Sequence, residues 1–99
     1  MKKYNKEEVA PLLLNLNDWQ FNSEGIEKKF QFKNFTEALG FIVKVGVVSE
    51  KMNHHPELFN VYNKVNIRLT THDASGVTDK DIKLASEIDV LLKDLTGLF

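Results

Sequence analysis

The sequence predicts a two-layer α+β fold, in which a four-stranded antiparallel sheet carries its helices on one face in the order α-β-β-α-β-β-α. Three observations predict it. Two pairs of short runs alternate apolar and polar residues, as half-buried strands do. Each pair is joined by a short polar segment, so its strands are neighbours in sequence and run antiparallel. Helical periodicity occupies the stretches before, between and after the pairs.

The first element is a short helix from about Asn5, with Val9, Leu12, Leu13 and Leu16 at helical spacing. Pro11 is tolerated there if it falls near the first turn. In the first strand pair, Trp19 and Phe21 alternate with polar neighbours, as do Phe30 and Phe32 with Lys29, Gln31 and Lys33. The segment "NSEG" between the two runs supplies the turn. The stretch Phe35–Asn53 is rich in β-branched residues, yet Ala38, Leu39, Ile42, Val45, Ser49 and Met52 form a stripe at helical spacing. A single strand of that length would be unusual, so the stretch is read as a helix buried on most sides and capped by Asn34 or Thr36.

Leu58 to Thr71 returns to strands, with Val65, Ile67 and Leu69 alternating with Asn66, Arg68 and Thr70, and Asn63-Lys64 as the two-residue turn. Leu58, Phe59, Val61 and Tyr62 put apolar groups on both faces of the third strand; one face is expected to meet the helices and the other a partner subunit. Ile82, Ala85, Ile88, Leu92 and Leu95 make the stripe of the closing helix. Thr78 and Asp81 have capping-box spacing at its start, and Gly97 is its expected stop.

With 99 residues, 42% of them hydrophobic, the chain suits one domain spanning 1–99. The net charge of −1, without any basic block, argues against direct nucleic-acid binding. Cysteine is absent, which excludes disulfides, thiolate nucleophiles and zinc-thiolate sites. There is no export signal and no long apolar run, so a cytoplasmic protein without a membrane partner is expected.

The chemistry-bearing residues cluster. All three histidines, His54, His55 and His72, lie within nineteen positions. Histidine can give and take protons near neutrality. His54 and His55 stand at a helix–strand junction where Pro56 holds the backbone of His55 extended. If the fourth strand runs back along the third, His72 at its exit returns near the third strand's entry. A three-histidine zinc site is the competing reading, but adjacent residues on extended backbone point opposite ways, which disfavours His54 and His55 as a chelating pair. Asp81 has two readings. It complements the N-terminus of the last helix, or it accepts a hydrogen bond from a catalytic imidazole and fixes its tautomer. Spacing alone favours the cap.

Glu50, His54-His55-Pro56, Tyr62, His72 and Asp81 keep the spacing E-x3-H-H-P-x5-Y-x9-H-x8-D, within "EKMNHHPELFNVYNKV" and "LTTHDASGVTDKDIKLA". In these residues the chain closely resembles the pterin-4a-carbinolamine dehydratase family, also known as the dimerisation cofactor of a homeodomain transcription factor. The similarity covers nearly the whole chain; Leu58 stands where many relatives have tryptophan. The resemblance implies an enzyme that removes water from 4a-hydroxytetrahydropterin to give quinonoid dihydropterin during tetrahydrobiopterin recycling. The pterin is the substrate, and no metal or organic cofactor is implied. It further implies a catalytic set of His54, His55, His72 and Asp81. His54 and His72 would do the acid/base work, His55 would mainly bind and orient the pterin, and Asp81 would orient a histidine. Asn53, Thr70, Thr71 and Asp73 would hold the flat ring. A homodimer or homotetramer is implied as well. The alternative is a non-enzymatic module that binds a partner's dimerisation helices through the helix at Phe35–Asn53.

Overall fold

The structure, a computed structural model, describes residues 1–96. The elements are α1 (Lys6–Leu13), β1 (Gln20–Asn22), β2 (Gly25–Gln31), α2 (Phe35–Met52), β3 (Glu57–Val61), β4 (Lys64–Leu69), a 3-10 turn (His72–Ala74) and α3 (Asp79–Thr96). This is the predicted α+β order. The sheet is antiparallel throughout, with β1-β2-β4-β3 as its strand order. Its inner face contributes Ile26, Phe30, Val65, Ile67 and Leu69 to a core shared with Val9, Ala38, Phe41, Val45, Leu84, Ala85 and Ile88 of the helices. No helix among the described residues is long and apolar enough to cross a membrane.

The first two helices each start on a side chain suited to the task. Asn5 and Glu8 form a reciprocal capping box on α1, and the Asn34 carboxamide oxygen accepts from the Glu37 N–H at 2.9 Å on α2. Pro11 lies past the first turn of α1, not within it. Its missing N–H removes the helical bond to the carbonyl of Glu7, an exposed residue, and the helix ends two residues later. Gly97, the expected stop of α3, lies outside the described residues.

The β1–β2 turn is made by Ser23 and Glu24, both at positive φ (48° and 70°), a backbone that non-glycine residues adopt at some cost. Contacts from β4 hold it. The Arg68 guanidinium donates to the carbonyls of Asn22 and Ser23, and the Thr70 hydroxyl donates to that of Glu24 at 2.8 Å. Gly25 leaves room for the same clamp, since a Cβ there would stand 2.7 Å from Arg68 Cζ and displace the guanidinium.

Three expectations need correction. The second hairpin turns at Tyr62-Asn63, one residue earlier than predicted, because Val61 pairs with Lys64 and Tyr62 takes φ 52°. α2 is buried on one side, not on most. Phe41 packs 5.0 Å from the rings of both Phe30 and Phe32, which turns the helix so that Leu39 faces outward and Ala38, Phe41, Val45 and Ser49 face the core. β3 is an edge strand whose inner face is covered by the helices less than expected: Leu58, opposite the buried Ile67, stays 42% exposed.

One polar cluster had no forecast. Lys28 occupies an inward position of β2, and its Nζ meets Asp89 Oδ1 of α3 at 2.9 Å. Trp19 Nε1 donates to the same oxygen at 2.9 Å, and the Asn17 N–H donates to Asp89 Oδ2 at 3.1 Å. The ammonium also lies over the Phe30 ring, 5.0 Å from its centroid. The desolvated charges are thus fully partnered.

Candidate active site

The C-terminus of α2 aims the first histidine. Asn53 adopts the left-handed conformation, its N–H donates to the Glu50 carbonyl at 3.1 Å, and the His54 N–H donates to the Ser49 carbonyl at 3.1 Å. This Schellman arrangement satisfies the last carbonyls of the helix and sets the direction in which the chain leaves it. His54 is buried, and its Nε2 lies 2.5 Å from Asp81 Oδ1. His55, one residue on, is exposed and pairs through Nε2 with Glu50 Oε1 at 2.5 Å. Two neighbouring imidazoles therefore meet opposite environments, as the alternation of extended backbone requires.

Asp81 is completely buried. Its Oδ2 accepts from the Thr71 hydroxyl at 2.7 Å and from the Thr78 N–H at 2.9 Å, while Oδ1 faces His54. The two oxygens of Asp81 thus face two different elements. The side chain completes the N-terminus of α3, and it meets an imidazole. An ionised carboxylate only accepts, so a neutral His54 opposite it would carry its proton on Nε2 and its lone pair on Nδ1.

His72 opens the 3-10 turn directly after Thr71, whose N–H donates to the Gly76 carbonyl at 2.9 Å to close the loop. His72 and Asp73 are exposed, as is Asn53. One carboxylate therefore ties the exit of α2 to the exit of β4, and His72 is the residue next to that tie, with Cα atoms about 3.8 Å apart. Thr70 and Thr71 direct their hydroxyls into the protein, Thr70 to the Glu24 carbonyl and Thr71 to Asp81. Thr78 is the participant that sequence reasoning missed as part of the site. Its hydroxyl lies 2.8 Å from that of Thr71, and the only signal for it was its capping position.

Among the described residues no group of three or more histidine or acidic side chains is placed to hold a metal ion. A cavity of about 480 Å³ lined by Phe32, Gly40, Phe41, Lys44 and Leu95 lies at the corner of β2 and α2, without any of the histidines.

The comparisons agree with one another. Residues 2–91 match the family model described as pterin 4 alpha carbinolamine dehydratase. A relative from Prochlorococcus marinus (strain NATL2A) is 54% identical over 74 residues, covering 75% of this chain and 78% of its own length. Another from Sulfurisphaera tokodaii is 46% identical over 92 residues, covering 93% of this chain and 99% of its own. Both carry the name "Putative pterin-4-alpha-carbinolamine dehydratase". A solved structure from Brucella melitensis, described as a transcriptional coactivator/pterin dehydratase, superposes with a TM-score of 0.87 at 38% identity, covering 91% of this chain and 98% of that one. On the family match over residues 2–91, the 46% identity across nearly the full length of a relative and the fold shared with a solved structure, this chain belongs to the pterin 4 alpha carbinolamine dehydratase family.

Proposed function

We propose that the protein dehydrates 4a-hydroxytetrahydropterin to quinonoid dihydropterin by histidine acid/base catalysis, in the recycling of tetrahydrobiopterin. The observation that carries this reading is the buried His54–Asp81 pair at 2.5 Å, which supports a neutral imidazole with Nε2 facing the carboxylate and Nδ1 as the base. In the reaction the C4a–O bond breaks and the hydroxyl leaves as water with an added proton. The neighbouring ring nitrogen loses a proton, and the C=N bond forms. A neutral imidazole takes that proton and a protonated one supplies the other, so the enzyme ends with the protons it began with. His54, oriented by Asp81, is the base, and exposed His72 is the acid. A positioned proton-transfer group is worth on the order of 10²–10⁴-fold. His55, held by Glu50, orients the pterin together with Asn53, Thr70 and Asp73, while Thr71 contributes through Asp81.

The test is stopped-flow dehydration of carbinolamine generated by an aromatic hydroxylase. His54→Ala and His72→Ala are each expected to cut turnover at least about a hundredfold with unchanged circular dichroism. Near-wild-type rates in either variant overturn the assignment, and a wild-type protein that does not accelerate loss of the hydroxyl overturns the reaction itself.

A second reading, an interface for a helical partner or a second copy, rests on α2. Phe35, Leu39, Val43 and Val47 are all exposed and stand four residues apart, forming one apolar ridge of the kind that packs between helices. Sedimentation of wild type against Val43→Glu tests it: the variant is expected to dissociate an assembly, and an unchanged sedimentation coefficient contradicts the reading.

A further inference from the structure

We propose that Thr78 is a positioning residue for His54, acting through a buried relay of two hydroxyls, Thr78 to Thr71 to Asp81, which decides which ring nitrogen of His54 carries the proton. The kinetic consequence rests on the dehydratase reading; the tautomer itself does not.

Donor counting gives the relay its direction. Asp81 Oδ2 accepts from Thr71, so the single hydroxyl proton of Thr71 is spent there. The 2.8 Å contact between Thr71 and Thr78 must then be donated by Thr78, which leaves the Thr78 oxygen to accept from the Lys80 N–H. Every dipole points from the start of α3 toward one carboxylate, and the opposite oxygen of that carboxylate faces His54. Thr71, Thr78 and Asp81 are all buried, so water does not compete.

The bland reading of Thr78 is an ordinary helix cap, and the other helices of this chain serve as controls for it. On α1 and α2 the cap side chain reaches the third amide of the helix at 2.8 and 2.9 Å. On α3 the Thr78 oxygen reaches only the Lys80 amide, at 3.3 Å, beyond the usual range of a good N–H···O bond. The cap is thus poorly made, while the bond to Thr71 is well made. Burying a hydroxyl pair is unfavourable unless both are bonded, and here both are bonded toward the acid that orients the base.

The experiment uses ¹⁵N-imidazole NMR and steady-state kinetics on the full chain. With only three histidines the imidazole signals are separable. Wild type is expected to show His54 as the Nε2–H tautomer. Thr78→Val, close in volume but lacking the hydroxyl, is expected to give a mixed tautomer and to lower kcat about fivefold with KM unchanged. Thr71→Val is expected to lower kcat roughly tenfold. Because the hydroxyls act in series, the double variant is expected to match Thr71→Val alone. Thr78→Ser, which restores the hydroxyl and loses a methyl, is expected to return both signals and rate. The proposal is overturned if Thr78→Ser behaves like Thr78→Val, if the two valine effects multiply, or if the His54 signals of Thr78→Val equal those of wild type. Since the imidazole signals need no substrate, a wild-type protein without dehydratase activity sinks the functional reading and leaves the relay to be decided by NMR.

Discussion

Asp81→Asn separates a helix cap from a catalytic partner within one side chain. The asparagine oxygen replaces Oδ2 and keeps the bonds from Thr71 at 2.7 Å and the Thr78 N–H at 2.9 Å. The amide nitrogen then stands where Oδ1 met His54 Nε2 at 2.5 Å, and it can only donate. His54 must accept at Nε2 and move its proton to Nδ1, which removes the lone pair from the nitrogen proposed as the base. The stability lost is that of one charge-assisted hydrogen bond, about 2 kcal/mol. For a domain of this size that lowers Tm by roughly 10 °C. The rate loss is larger, at least on the order of a hundredfold in kcat, because the wrong tautomer presents a donor where a base is required. Stopped-flow dehydration at 15 °C, well below the melting point of either protein, measures the rate on folded enzyme, and a thermal melt measures the stability. A variant that melts lower yet keeps kcat within about threefold of wild type would refute the reasoning and leave Asp81 as a cap alone.

Further outcomes follow from the core and the chemistry. Phe41→Ala empties the space between the Phe30 and Phe32 rings and is expected to cost about 3–5 kcal/mol in urea unfolding, against well under 1 kcal/mol for the outward Leu39→Ala, about what an exposed substitution costs. Equal effects would contradict the observed rotation of α2. Asp89→Ala strands both the Lys28 ammonium and the Trp19 N–H and is expected to destabilise by roughly 3 kcal/mol or more, exceeding Lys28→Met, which leaves Asp89 with Trp19 and Asn17. The reverse order would show the lysine to be the costlier loss. Prolonged chelation is expected to leave dehydration unchanged; activity lost and then restored by zinc would replace imidazole acid/base chemistry with a metal centre.

Much of this was legible in the chain. Element order followed from periodicity, since period-two runs at Trp19–Phe21 and Val65–Leu69 cannot bury one face as helices. Helix rotation was not legible, because Leu39 and Phe41 are both apolar and only the Phe30 and Phe32 rings decide between them. The Tyr62-Asn63 turn escaped because tyrosine at positive φ is held by pairing of the flanking strands, not by turn propensity. Lys28 was hidden by its charge: an inward lysine is allowed only by Asp89, sixty-one positions away. In the site, the family resemblance placed His54 and Asp81 in one motif, while spacing alone left the two readings of Asp81 as alternatives. The carboxylate has two oxygens aimed at two elements, and the hydroxyl pair of Thr71 and Thr78 becomes visible only when β4 and α3 are brought together.

The most direct measurement is a crystal structure with a dihydropterin analogue bound. The reacting edge of the ring is expected about 3 Å from Nδ1 of His54, with His72 at the opposite side of the departing hydroxyl. A pterin seated elsewhere, such as the corner cavity beside Phe32 and Phe41, with Nδ1 of His54 turned into the protein, would contradict it.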